Sequence, residues 1–183
     1  MKISTKDLIL CSLFAAIIAI LSQVSITLPF TTVPFTMQIL AVSITGLILG
    51  CKLSTISVLI YLLLGCIGIP VFAQFSGGIG VLFGPTGGYL LGLPLMTYII
   101  GLAKDKSLSN IAIFLSLILG LIVVYITGTL MFSSITGNTI YQSILYCVVP
   151  FVLVDLIKLI LSYIIGTTIL RKIPSNLIYN KNN

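Results

Sequence analysis

The chain has 183 residues, of which 58% are apolar and 7% charged, and its formal net charge at pH 7 is +6. A mean hydropathy of +1.28 predicts an integral membrane protein, because a helix needs about 20 mostly apolar residues to cross a bilayer. With three acidic residues, no histidine and four cysteines that form no CxxC pair, the chain is not expected to be an enzyme or to bind a metal or other cofactor. It has no dense basic cluster with interleaved aromatic residues, so a nucleic-acid partner is not expected either.

We predict an all-α membrane protein in which residues 1–183 form a single domain with six transmembrane helices. The predicted spans are approximately 7–27, 37–51, 53–71, 86–103, 108–131 and 142–170. The second span is short for a full crossing. A short polar tail, 174–183, is predicted to follow the last span in the cytoplasm.

The basic residues predict the orientation of these helices. All of them except Lys158 lie at the amino end or after spans two, four and six, at positions Lys2, Lys6, Lys52, Lys104, Lys106, Arg171, Lys172 and Lys181. The loops 28–36, 72–85 and 132–141 contain no charge. Because basic residues concentrate on the cytoplasmic side, both termini are predicted to be cytoplasmic and the three uncharged loops external. The positive face also attracts anionic membrane lipids.

The first predicted helix carries a stripe of small residues at 3-4-3 spacing, Ser12, Ala15, Ala19 and Ser22. Small side chains on one face let two helices approach closely. From the residues alone, packing within the chain is favoured over the docking of a partner helix.

The segment from Phe72 to Tyr89 is dense in glycine and covers an external loop and the entry of the next helix. It lacks the GxxxxGK[ST] pattern of a phosphate-binding loop. Its glycines permit positive φ angles and close backbone approach, while Gln74 and Thr86 add polar groups that can face a ligand. Gly87 and Gly88 fit either such a site or tight helix packing.

Asp155 and Lys158 lie deep inside the last predicted span and share one helix face at i, i+3 spacing. An unpaired charge at mid-bilayer costs between about 3 and 17 kcal/mol, so such residues normally face a cavity, a partner or a ligand. They are expected about 8 and 12 Å below the outer helix end. A purely structural ion pair is an alternative, and a Ser–Lys hydrolase is a weaker one because no serine lies in a recognisable nucleophile turn.

The charged pair, the glycine-rich segment and the loop 28–36 are predicted to converge on the external side, where they would enclose a pocket for a compact, mostly apolar ligand. Its apolar wall is predicted to contain Phe30, Phe35, Phe72, Phe75 and Tyr89. Its polar contacts are predicted to come from Gln38, Gln74, Thr86, Asp155 and Lys158.

Four motifs together resemble one family, and the resemblance covers nearly the whole chain. They are Val33-Pro-Phe-Thr-Met-Gln38, Tyr61-Leu-Leu-Leu-Gly65-Cys-Ile-Gly68-Ile-Pro70-Val-Phe72-Ala, Gly84-Pro-Thr86-Gly-Gly-Tyr89-Leu-Leu-Gly92 and Asp155-x-x-Lys158. The family is BioY, the biotin-specific substrate-binding subunit, or S component, of energy-coupling-factor (ECF) transporters.

The resemblance implies an S-component bundle of six transmembrane helices in the inner membrane of a bacterium, which captures external biotin as the transported ligand. It also implies three protein partners, a transmembrane coupling subunit and two cytoplasmic ATP-binding subunits. Asp155 and Lys158 would contact the headgroup region of biotin, aided by Gln74 and the turn Thr86–Tyr89.

The family further implies that the first helix docks on the coupling subunit. The Ala15-x-x-x-Ala19 element resembles the docking surface of S components, which makes docking a stronger interpretation of the small stripe than the residues alone allow.

Two other functions stay open at the level of sequence. An S component for a different vitamin would keep the fold and change the pocket, although the absence of tryptophan argues mildly against ligands that need broad aromatic stacking. A channel or a stand-alone biotin carrier would transport without ATPases, although the chain has no evident internal repeat of the kind that inverted-repeat carriers show.

Overall fold

A computed structural model of the chain describes residues 4–27, 29 and 33–172, which are mostly helical. The helices are α1 (Thr5–Gln23), α2 (Gln38–Cys66), α3 (Ile79–Leu82), α4 (Gly87–Asp105), α5 (Asn110–Thr136), α6 (Ile140–Cys147) and α7 (Val149–Lys172). Two short antiparallel strands, β1 (Ser25–Ile26) and β2 (Phe35–Thr36), pair with Ser25 opposite Thr36. A 3-10 turn, Ala73–Phe75, precedes α3.

Four of the helices in the described part of the chain, α1, α2, α5 and α7, are long and apolar enough to cross a membrane. At most half of each apolar window is buried inside the protein. The remaining apolar side chains face outward, which is favourable only where the surroundings are themselves apolar, as lipid tails are. The fold is therefore that of a helical, multi-pass membrane protein.

Helix α2 is interrupted at Gly50, whose φ of 74° and ψ of 178° are not helical. Gln38 Nε2 donates a 2.8 Å hydrogen bond to the Tyr61 hydroxyl, 23 residues further along the chain. In one straight helix these residues would be about 34 Å apart. The two halves of α2 therefore lie side by side as a hairpin, with Gly50 at its tip, and they occupy the place of the predicted spans 37–51 and 53–71.

Asp105, at the end of α4, stabilises this tip. Its Oδ2 accepts a 2.8 Å hydrogen bond from the Cys51 backbone N–H, the start of the second half of α2. A carboxylate at a helix N-terminus satisfies an otherwise unpaired donor and interacts favourably with the helix dipole. A Cβ on Gly50 would collide with this carboxylate, so the turn requires glycine both for its positive φ and for space.

The core of the molecule lies where α2, α4 and α5 meet, with α1 and α7 packed around it. Its largest fully buried side chains include Tyr61, Phe72, Met96, Ile100, Leu117 and Leu159. Helices α4 and α5 approach closely because Gly92 lies against Val124 and Thr127, with no room for a Cβ.

Helix boundaries also differ from the predicted spans, since α2 ends at Cys66 rather than 71 and α5 continues to Thr136 rather than 131. Helix α1 ends at Gln23, four residues before the predicted boundary of 27, and the chain continues into β1. The predicted span 142–170 corresponds to two helices, the short α6 and then α7. Pro150 lies in the first turn of α7, where its missing N–H is not needed. The predicted tail 174–183 lies outside the described residues.

Candidate functional site

The structure contains a cavity of about 170 Å³ that is enclosed by segments far apart in sequence. Its wall is formed by residues 33–39, residues 72–76, the start of α4, and the facing sides of α5 and α7. Six of the predicted ligand contacts lie on this wall, namely Gln38, Gln74, Thr86, Tyr89, Asp155 and Lys158. The described part of the loop 28–36, residues 33–36, thus meets the glycine-rich segment and the charged pair at one cavity.

Asp155 and Lys158 form a buried ion pair in the cavity wall. They are 4% and 3% exposed, and Lys158 Nζ lies 2.8 Å from Asp155 Oδ1. Burial on one stripe of α7, together with Leu159 and Ser162, follows from their i, i+3 spacing. Pairing offsets the free-energy cost of removing each charge from water. Without its partner, either charge would be strongly destabilising at such a buried position.

Each member of the pair has a second partner within the chain. The Tyr125 hydroxyl, from α5, donates a 2.7 Å hydrogen bond to Asp155 Oδ2. Lys158 Nζ donates a 2.6 Å hydrogen bond to the Thr36 carbonyl of β2 and lies 3.8 Å from the centre of the Phe35 ring. The ion pair thereby connects α5, α7 and the loop before α2 around one cavity.

Tyr125 and Thr36 are cavity residues that the sequence did not identify. Tyr125 carries a detectable signal, because a hydroxyl in the middle of a long apolar helix needs a hydrogen-bond partner when buried. Thr36 contributes its backbone carbonyl to Lys158, and sequence patterns carry no signal for such a contact.

Phe35 and Gln38 support the cavity from the side of β2 and α2. Phe35 lies behind the wall, where its ring stacks on Phe151 at 6.1 Å and 19°. Gln38 lines the cavity and is fixed by its hydrogen bond to Tyr61, whose ring in turn packs edge-on against Phe72 at 5.5 Å.

The aromatic residues predicted for the wall divide into different roles. Phe72 and Tyr89 line the cavity, and Phe72 is also buried against Gly65. Phe75, in contrast, is 72% exposed and does not line the cavity, so its predicted place in the wall is wrong. Phe30 lies outside the described residues.

Gly87 and Gly88 do not line the cavity but allow close packing next to it. A Cβ on Gly87 would collide with the Leu82 carbonyl, and one on Gly88 with the Thr127 carbonyl of α5. Both residues are buried. Of the two interpretations that the sequence allowed, the structure supports tight packing, which places their neighbours Thr86 and Tyr89 at the wall.

The small stripe of α1 faces mostly inward. Ala15 is 1% exposed and Ser22 is fully buried, and Ser22 Oγ donates a 2.6 Å hydrogen bond to the Val71 carbonyl. Ser12 is exposed and Ala19 is partly buried. The prediction that all four residues form a docking surface is therefore wrong, because Ala15 and Ser22 are used in packing within the chain.

Comparisons with known proteins agree with these features. The model of the BioY family matches residues 1–175. A biotin transporter BioY from Thermotoga maritima is 41% identical over 154 residues, 84% of this chain and 89% of the relative. A probable biotin transporter BioY from Pyrococcus horikoshii is 39% identical over 153 residues, again 84% and 89%.

A solved structure extends the similarity to the whole fold. The crystal structure of an S-component for biotin from an ECF-type ABC transporter matches with a TM-score of 0.86, over 96% of each chain, at 28% sequence identity. The match of the family model to almost the entire sequence, the two relatives and this shared architecture lead to one conclusion: the chain belongs to the BioY family.

Proposed function

We propose that this protein is a membrane-embedded S component that captures external biotin for ATP-driven uptake through an ECF transporter. Family membership, the relatives described as biotin transporters and the structural match to a biotin S-component support this function. The observation that carries it is a buried carboxylate and a buried ammonium, side by side in the wall of an otherwise largely apolar cavity.

The chemistry of the cavity suits the ureido ring of biotin, which has two N–H donors and one carbonyl acceptor. A carboxylate oxygen retains acceptor capacity after one hydrogen bond, so Asp155 can accept from ligand N–H groups while it is paired. Lys158 has three donors, of which Asp155 and Thr36 use two, and the third can reach a ligand oxygen. Gln38, Gln74 and Thr86 add neutral polar groups.

We propose six membrane crossings, made by α1, the two halves of α2, α4, α5 and α7. The halves 38–49 and 51–66 are about 18 and 24 Å long, shorter than the hydrocarbon core of roughly 30 Å. Lys52 and Lys104 lie at the end of the bundle that carries the α2 tip, as the contact between Asp105 and Cys51 indicates. By the positive-inside rule this end and both termini are cytoplasmic, and the cavity opens outward.

We propose that the partners are a transmembrane coupling subunit and two ATP-binding subunits in the inner membrane of a bacterium. The docking surface would include Ser12 and the neighbouring exposed residues of α1. On this face Ser12 and Ala16 are small, exposed and four positions apart, the spacing that allows close helix approach.

Calorimetric titration of the purified, detergent-solubilised protein tests the ligand assignment. Biotin is expected to bind saturably, and riboflavin and thiamin are expected not to bind. Asp155→Asn and Lys158→Ala should each weaken binding by about 1–3 kcal/mol, the range for a lost charge-assisted hydrogen bond. Binding of another vitamin would identify a different S component, and full affinity in both variants would contradict the assigned site.

Transport in proteoliposomes distinguishes coupled uptake from a stand-alone carrier. We expect biotin to accumulate only when the coupling and ATP-binding subunits are present together with ATP. Accumulation by the chain alone would contradict the ECF assignment while leaving the ligand unchanged.

A further inference from the structure

Part of the cavity wall is a short loop, residues 71–76, whose backbone is held in an uncommon conformation. Gln74 and Phe75 have φ angles of 60° and 53°, in the left-handed region that residues with a Cβ rarely adopt. Two such residues in succession persist only when contacts around them overcome the conformational cost. Such contacts should therefore be present near this loop.

The side chain of Gln23, the last residue of α1, supplies three contacts to this loop. Its Nε2 donates to the Val71 and Phe72 carbonyls, at 3.0 Å each. Its Oε1 accepts a 2.9 Å hydrogen bond from the Phe75 N–H. Because two carbonyls require the amide nitrogen and one N–H requires the amide oxygen, the hydrogen bonds themselves determine the orientation of the amide.

Contacts within the loop complement this side chain. The Phe72 N–H donates to the Ser76 carbonyl at 3.0 Å, and Ser76 Oγ donates to the Ala73 carbonyl at 2.7 Å. These bonds close the loop on itself, but they do not set its position relative to the helices. Gln23 provides that connection together with its neighbour Ser22, whose Oγ donates a 2.6 Å hydrogen bond to the Val71 carbonyl. Both residues come from a helix that precedes the loop by about fifty residues, and of the two only Gln23 reaches Phe72 and Phe75.

We infer that Gln23 is a positioning residue of the ligand site, which acts through the loop 71–76 and holds Gln74 in the cavity wall. Gln23 is not part of the wall, whereas Gln74 is. The Gln74 side chain makes no hydrogen bond to another described residue, so its amide is available to a ligand. This inference rests on the proposed function, since it assumes that the cavity binds biotin.

A positioning role of Gln23 and a general role in stability predict different behaviour of one backbone amide, the Phe75 N–H. If Gln23 holds the loop, the Phe75 N–H is protected by Gln23 Oε1 and becomes labile when this acceptor is removed. If Gln23 merely ends α1, the Phe75 N–H would not respond. Ligand dissociation should respond as well, because the loop forms part of the cavity wall and a loosened loop no longer holds Gln74 in a fixed position against a bound molecule.

The experiment compares wild-type protein with Gln23→Ala in detergent, by hydrogen exchange at Phe75 and by biotin binding kinetics. We expect Phe75 exchange and biotin dissociation each to become at least tenfold faster. Gln142→Ala is the matched control, since Gln142 Oε1 accepts from a backbone N–H, that of Thr139, away from the loop. It should change neither quantity. Unchanged exchange and dissociation in Gln23→Ala would overturn the inference.

A double variant tests whether the effect passes through Gln74. If it does, Gln23→Ala should weaken binding much less in a Gln74→Ala background than in the wild type. Full additivity of the two losses in binding free energy would overturn this route.

Should Gln23→Ala fail to fold, Gln23→Glu replaces it. This variant keeps the acceptor for the Phe75 N–H and loses both donors, and we again expect faster biotin dissociation. Wild-type protein without biotin affinity would overturn the proposed function, and Phe75 exchange would still decide whether Gln23 holds the loop.

Discussion

At the scale of single residues, the cost of removing charge from water explains the contacts of the site, because each buried charge needs partners. Asp155 and Lys158 are both buried, and each has a protein partner in addition to the other, Tyr125 for the carboxylate and the Thr36 carbonyl for the ammonium. Removing one member of a buried pair leaves an uncompensated charge, whereas removing both can be nearly neutral for stability. This asymmetry separates structural from binding roles experimentally.

Lys158→Met should therefore lower thermal stability strongly, because the Asp155 carboxylate remains buried without its cation. Adding Asp155→Asn should restore most of the lost stability, yet the double variant should not bind biotin. Thermal unfolding and calorimetry in the same detergent measure the two effects. A double variant that binds biotin like the wild type would show that the pair is structural only.

Tyr125→Phe tests the second partner of Asp155 with minimal change in shape. Loss of the hydroxyl removes a hydrogen bond to a charged group, which corresponds to about 1.5–3 kcal/mol, and biotin affinity should fall about ten- to hundredfold as Asp155 loses its orientation. Calorimetry measures the change. Tyr98→Phe on the exposed surface of α4 is the control, and equal affinities in the two variants would contradict the role of Tyr125.

At the scale of elements, the hairpin in α2 determines where the cavity lies. The turn at Gly50 brings Tyr61 back beside Gln38, which fixes Gln38 in the cavity wall. Asp105 supports the same turn from α4. The tip and the cavity are thus at opposite ends of one element, and damage to the tip should act on stability before it acts on ligand contacts.

Gly50→Ala should destabilise the protein by at least about 1–2 kcal/mol, the cost of placing a residue with a Cβ in a left-handed conformation, plus the collision with Asp105. Gly80→Ala is the matched control, since a Cβ there meets nothing within 4 Å and its φ is not positive. Thermal unfolding should separate the two variants. Equal unfolding temperatures would show that the turn tolerates a side chain.

At the scale of the whole molecule, apolar surface faces outward around most of the bundle, and α1 presents one side to the core and the other to its surroundings. Ala15 and Ser22 pack inward, whereas Ser12 and Ala16 are exposed. In the proposed complex a partner helix would approach the second set. The proposed docking face is therefore rotated by about one residue, or roughly 100°, from the face that includes Ala15 and Ser22.

Ala16→Trp is expected to block biotin uptake while biotin binding stays intact, because a large side chain there prevents close helix approach. Ala15→Trp is expected to reduce folded protein instead, since it overpacks the core. Uptake by cells that also carry the coupling and ATP-binding subunits, and calorimetry of the purified variants, measure the two properties. Normal uptake by Ala16→Trp would exclude this face as the docking surface.

The sequence by itself showed that this protein belongs in a membrane and where its critical charges lie along the chain. Apolar runs and isolated basic residues are local patterns, and they predicted a membrane protein with mostly helical spans. Asp155 and Lys158 were identifiable because a charge in an apolar span is costly wherever the chain folds. The motifs that contain Gln38, Thr86 and Tyr89, or end just before Gln74, then assigned these residues to the same predicted ligand pocket.

Only the tertiary structure decided which groups meet. Tyr125 contacts Asp155, 30 residues away in sequence, and Lys158 contacts Thr36, 122 residues away. No local sequence pattern encodes contacts between residues so far apart in the chain. Burial likewise separated Ala15 from Ala16, neighbours of identical chemistry. The physical reason is that hydrophobicity and charge cost are properties of single residues, whereas hydrogen-bond partners, helix packing and access to a surface depend on how the helices pack together in three dimensions.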